Sequence, residues 1–233
     1  MSIDDEWNSF MMTGDSDVID NINNKVVDES TITPELTAPT CEELYISTTT
    51  KVLFLNQPID IANIFWKLPI IDYGTPSDGI VKKQMKIVCN SEEEFQVYTE
   101  RISTIQYYRE NIVKQLNNPT ARRIKYKDER KITVGMSKKD IMNCRGKVKN
   151  AFYNCFAIIL RFKFEDKFRE IHIKVFNTGK LEIPGILNLT ILDMVKKQLL
   201  NYLTPYIETP IEYVKTTKDC NVLINSNFNC GYY

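Results

Sequence analysis

The strongest constraint on the fold is the alternation over residues 168–185, FREIHIKVFNTGKLEIPG. Apolar and polar residues exchange with period 2, the signature of a strand with one buried and one open face. Ile171, Ile173 and Val175 point one way; His172, Lys174 and Phe176 point the other. Asn177, Thr178 and Gly179 supply a tight turn whose glycine accepts a positive φ, and Leu181 and Ile183 resume the buried face. The hairpin therefore has an apolar back and a front of Lys174, Phe176, Lys180, Glu182 and Pro184. A phenylalanine among cations on that front is not explained by core packing.

Residues 155–163 alternate in the same way, with Phe156, Ile158, Leu160 and Phe162 inward and Cys155, Ala157, Ile159, Arg161 and Lys163 outward. Glu165, Asp166 and Lys167 turn that strand into the hairpin. Residues 44–55 read as a Thr-rich strand. A short helix follows, with Pro58 in its first turn, Ile61, Ile64, Phe65 and Leu68 on one stripe, and Pro69 as its stop. Residues 74–79 are a loop. Ser91 and Glu94 form a capping box, and Phe95, Tyr98, Ile102, Ile105, Ile112 and Leu116 follow at helical spacing, so one helix is expected from Ser91 to Asn117. A short strand is expected near residues 122–131, a helix over 189–203 with Thr190 as its cap, an extended run over 207–214, and a last strand over 220–228. Strands covered by helices in this order make an α+β chain with an antiparallel sheet and helices on one face.

Charge divides the chain. Residues 1–43 hold eleven carboxylates and one lysine, so a chain of zero net charge leaves about +10 on the remainder. The expectation is an acidic disordered tail over 1–43, with Trp7, Phe10, Met11 and Met12 as its apolar exceptions, and a basic folded part over 44–233. Arg122, Arg123, Lys125, Lys127, Arg130 and Lys131 fall within ten residues. A polyanion rewards such density through counterion release, whereas a solvated face tolerates it without function.

Other classes are disfavoured. Six cysteines without a C-x-x-C pair and a single histidine, His172, argue against a structural metal, and no cofactor is expected. There is no Gly-rich phosphate loop and no paired-carboxylate motif, so an enzyme is not expected. No apolar run approaches bilayer length and the N-terminus is acidic, which implies a soluble intracellular protein without a membrane partner.

The run VFNTGKLEIPG resembles the hairpin of the TATA-box-binding protein family, most closely the TATA-binding-protein-like factors of large DNA viruses. Residues 44–73 resemble that family's first strand and helix, and residues 149–162 (KNAFYNCFAIILRF) its second strand. The resemblance implies a curved sheet with helices on the convex face, half of a saddle. It also implies an insertion over about 79–147 and the start of a second repeat over about 218–233. Its implied function is a DNA-binding transcription initiation factor that uses the concave face in the minor groove of an A·T-rich promoter, beside RNA polymerase or initiation factors. The location would be the host nucleus or a viral factory. The implied DNA-contacting residues are Phe176 as a wedge, with Lys174, Lys180, Arg161, Lys163 and Ile46 on the sheet, and Arg122, Arg123, Arg130 and Lys131 in the insertion. The family's second wedge position falls at Cys155. Glu182 and Pro184 stand where the family presents small or β-branched groups, and Leu44 where it has a central asparagine. The alternative is a protein-interaction module of a viral transcription complex that kept the fold and lost specific DNA binding. With a single repeat, an exposed sheet edge would also allow self-association.

Overall fold

The computed structural model describes residues 41, 43–142, 152–186, 188–214 and 221–227. The expected acidic tail, with Trp7, Phe10, Met11 and Met12, lies outside them. So does most of the expected second-repeat segment.

The strands are β1 (Tyr45–Phe54), β2 (Gly79–Cys89), β3 (Tyr108–Asn117), β4 (Tyr126–Gly135), β5 (Cys155–Phe164), β6 (Lys167–Phe176), β7 (Lys180–Ile186) and β8 (Asn221–Asn227). They form one curved, unclosed sheet in the order β3, β4, β2, β5, β6, β7, β1, β8. Every neighbouring pair is antiparallel. The helices are α1 (Ile61–Lys67), α2 (Glu92–Ser103), α3 (Lys138–Met142) and α4 (Leu189–Leu203). The protein is thus α+β, as the patterning indicates.

The alternating strands have their expected faces. Phe156, Ile158, Leu160 and Phe162 of β5 are fully buried with Ile173 and Val175 of β6, Leu181 and Ile183 of β7, Ile64 and Phe65 of α1, and Ile191, Val195, Leu199 and Leu203 of α4. Each such side chain contributes about 1.5–3 kcal/mol by leaving water, which makes this face the core. The turn between β5 and β6 uses Glu165 and Asp166, both at positive φ, which matches the twist of two paired strands. Gly179 has φ +82 as the hairpin requires, and a Cβ there would run into the Gln57 carbonyl.

Helix ends follow local chemistry. Asp60 accepts the Asn63 amide at the start of α1, and Leu68 closes it ahead of Pro69. Ser91 accepts the Glu94 amide, while the Glu94 carboxylate accepts from the Asn90 amide. The cap of α4 is Asn188, which accepts the Ile191 amide at 2.8 Å, and not Thr190, which lies inside the helix. Lys83 of β2 is a buried cation under this layer. Its Nζ donates to the carbonyls of Phe65 and Leu68, both at 2.7 Å, and so satisfies the C-terminal end of α1. Burial draws this amine down to about 8.

One expectation is corrected here. The helix read from Ser91 to Asn117 ends at Ser103, and the residues beyond form β3, in which Ile112 faces Arg130 and Leu116 faces Lys127 of β4. Pairing with β4 satisfies the backbone of this stretch, and the helical spacing of Ile112 and Leu116 is coincidental. The stretch read as an insertion supplies three of the eight strands among the described residues, with β2 placed centrally between β4 and β5. The strand read as the start of a second repeat pairs with β1 as β8, at the sheet edge.

Candidate nucleic-acid interface

The face opposite the helices is made of outward residues arranged in rows. In one row Lys82 of β2 lies opposite Ile159 of β5, which lies opposite His172 of β6. In the next, Thr133, Gln84, Ala157, Lys174, Glu182 and Val52 succeed one another from β4 to β1. Beyond it Cys155 faces Phe176, and Lys180 faces Phe54. This face is rich in lysine and also carries Ile159, Ala157 and Val52, with Phe54 and Phe176 at one end and Phe168 at the other.

Phe176 ends β6 on this face, half-buried, with Lys180 Nζ 5.2 Å from its ring centroid. Phe54, which sequence reasoning missed, stands across from Lys180 and is 37% exposed. Lys174 lies over the ring of Phe152 at 5.6 Å. Three phenylalanines and two lysines therefore share this end of the sheet. Cys155, at the expected second-wedge position, is buried, and burial pushes its thiol up to about 11. Its neighbour Phe156 is fully buried on the helix face, so β5 presents no wedge.

Glu182 is held between Lys180 at 2.9 Å and Lys174 at 3.2 Å. Burial works to raise its carboxyl, but the hydrogen bond from Lys180 and the charge of Lys174 outweigh this and keep it below the ordinary value. A second triad sits at the other end of the sheet, where Glu129 bonds Lys127 and Lys86, each at 2.7 Å. Those hydrogen bonds bring its carboxyl down to about 2. Each triad keeps a net positive charge, with its carboxylate shielded by two lysines.

The remaining expected contacts divide. Arg122 and Arg123 are exposed in the turn between β3 and β4, Lys163 is exposed and pairs with Asp166 at 3.1 Å, and Ile46 is exposed on β1. Lys131 is buried on the open face, opposite Lys86. Arg161, on the open face, and Arg130, on the helix face, are both covered by protein. Arg161, 5% exposed, donates to the carbonyls of Tyr73, Thr75 and Ser77 and lies against the rings of Tyr73 and Phe168, so it clamps the loop before β2. Arg130 lies on the helix face, bonded to Asp128 and Glu110, with its guanidinium 4.5 Å from the Phe95 ring centroid. Both are structural cations whose donors are already used, so neither belongs to the exposed set.

Compared with known proteins, the chain matches no family model, no curated protein and no solved structure.

The open face is not bare along its whole length. After Gly135 the chain turns, Met136 donates its amide to the Val81 carbonyl, and α3 lies against the sheet. Asp140 accepts from Lys82 Nζ at 2.7 and 2.8 Å and pairs with Arg109 at 3.7 Å, while the Lys138 amide reaches Glu170 of β6. His172 lies in the row that starts at Lys82. Its burial, then the charges of Lys174, Lys82, Lys139 and Lys131, push the imidazole down to about 4. Among the described residues no group of His, Cys, Asp and Glu side chains is arranged to hold a metal ion, and no helix is long and apolar enough to cross a membrane.

Proposed function

We propose that this protein is a DNA-binding transcription initiation factor. It engages an A·T-rich duplex through the aromatic end of the sheet's open face, with RNA polymerase or initiation factors as protein partners. The observation that carries the reading is the grouping of Phe176 and Phe54 around Lys180, on a face that also carries Lys82, Lys131 and Lys174. A wedge must be stiff, apolar and outward, because unstacking a base step costs a few kcal/mol that contacts along the duplex have to offset. Phe176 meets those conditions: its backbone is fixed inside a paired strand and its ring is braced by Lys180. Exposed Arg122 and Arg123 at the tip of the β3–β4 hairpin extend the positive surface toward phosphates.

A second reading has its own support. In a protein-interaction module that kept the fold, carboxylates on the open face need not avoid a polyanion, and Glu129 and Glu182 each stand on that face between two lysines. The outer strands β3 and β8 offer edges for pairing with another chain, including a second copy.

Salt separates the readings. Affinity of the full chain for an A·T-rich duplex should fall steeply with salt, by close to one logarithmic unit in slope per phosphate neutralised. A duplex affinity that is weak and flat with salt, together with retention of a polymerase subunit, would favour the interaction module.

A further inference from the structure

Residues 136–142 cross part of the surface that a duplex would need. They leave β4 at Gly135, whose φ of +76 turns the chain, and their polar groups reach Lys82 of β2 and Glu170 of β6. Lys82 sits in the row of Ile159 and His172, near the middle of β5 and β6, so the segment lies over the face and not beside it.

The crossing is held by charge. Asp140 is its centre: one carboxylate takes two hydrogen bonds from Lys82, an ion pair from Arg109, and the amide and hydroxyl of Ser137. Apolar anchoring is missing, since α3 buries none of its residues and Ile141 and Met142 are 53% and 75% exposed. A segment docked mainly by ions, with Ser137 its one buried residue and little apolar area covered, opens at low free-energy cost, and salt lowers that cost further. The donors around Asp140, an ammonium and a guanidinium from two different strands, are those that commonly bind a phosphate oxygen.

We propose that residues 136–142 are a displaceable strap, and that a backbone phosphate of a bound duplex takes the place of the Asp140 carboxylate at Lys82 and Arg109. This rests on the duplex-binding reading above. Docked, the strap occupies Lys82 and Arg109 with the single Asp140 carboxylate and covers the centre of the open face. Displaced, it returns two cations to that face and lets the duplex extend from the Phe176 end toward β2. The strap therefore weakens binding to any polyanion too short or too flexible to displace it.

The test uses the full chain, an A·T-rich duplex, and the variants Asp140→Asn and Glu208→Gln. Glu208 is exposed on the loop after α4, and its variant removes the same charge away from the strap. Asp140→Asn should bind the duplex roughly three- to tenfold tighter than the parent, beyond any gain in Glu208→Gln. In the parent, amide hydrogens of residues 137–142 should exchange faster when the duplex is added. Equal affinities of the two variants, or strap amides that slow on duplex addition, would overturn displacement while leaving duplex binding intact. No salt-sensitive binding by any of the three proteins would overturn the duplex reading itself, and phosphate exchange with it.

Discussion

The hairpin of β6 and β7 and the hairpin of β3 and β4 belong to one sheet, and each turns one face toward helices, but they hold that face by different forces. Under α4 the β6–β7 hairpin packs Ile171, Ile173, Val175, Leu181 and Ile183, an inward surface with no polar atom on its side chains. Under α2 the β3–β4 hairpin places Ile132 and Val134 beside an ionic network. Asp128 is 1% exposed and bonded by Arg130, which also reaches Glu110 and lies on Phe95, while Tyr98 donates its hydroxyl to Glu110. Burial next to that carboxylate raises the Tyr98 phenol far above its ordinary value. Apolar burial is non-directional and loses stability in proportion to what is removed. A buried ionic network fails as a unit, because deleting one member strands the charge of another.

The largest effect that would sharpen this contrast is Arg130→Met. It leaves the Asp128 carboxylate buried and unpaired, and should destabilise the protein by about 3–5 kcal/mol in urea unfolding. Adding Asp128→Leu should restore most of that loss. In the apolar hairpin, Ile173→Val should cost about 0.5–1.5 kcal/mol, with no partner able to rescue it. If Arg130→Met costs no more than Ile173→Val, the network adds nothing and the contrast disappears.

Acid supplies a second comparison, between β6 and β4. His172 is held neutral, with a folded value of about 4 against an ordinary value near 6.5. Between those values the unfolded chain binds a proton that the folded chain does not, so stability should fall as pH drops from about 6.5 to 4, by at most about 3 kcal/mol. His172→Gln should remove the slope in that window. Glu129, a depressed carboxyl on the open face of β4, acts lower: its contribution is complete above pH 4.5 and lost as pH falls toward 2. Chemical denaturation at a series of pH values measures both windows, and an unchanged slope in His172→Gln would assign the upper one to other groups.

Smaller effects concern binding. Phe176→Ala should leave stability within about 1 kcal/mol, because the ring is half-exposed, yet lower duplex affinity by about tenfold and reduce bending between labelled DNA ends. Unchanged bending would remove the wedge role. Reversing Arg122 and Arg123 to Glu should leave folding untouched and lower the salt slope by roughly one unit for each phosphate that is no longer neutralised. Arg130 and Arg161 do not belong in that experiment, since their loss would act through folding.

The sequence alone determined what depends on near neighbours in the chain. Period-2 alternation specified both faces of β5, β6 and β7, the glycine at 179 marked a turn that only a residue tolerant of positive φ fits, and Ser91 with Glu94 marked the start of α2. It also placed Lys174, Phe176 and Lys180 on one face, because each follows from the parity of its position in a strand. Only the tertiary structure decided the rest. A bulge between Ile80 and Lys82 shifts the register of β2, so that Lys83 and not Lys82 shares the inward face of Ile80, and a run of adjacent lysines hides a central strand. The 3.6-like spacing from Ile102 to Leu116 is equally good as a helix until β4 arrives to pair with β3. Arginine looks the same in sequence whether it meets DNA or a carbonyl. Arg122 and Arg123 stay exposed while Arg130 and Arg161 are covered, because the Glu110 carboxylate, three loop carbonyls and aromatic faces from other segments are within reach of the latter two.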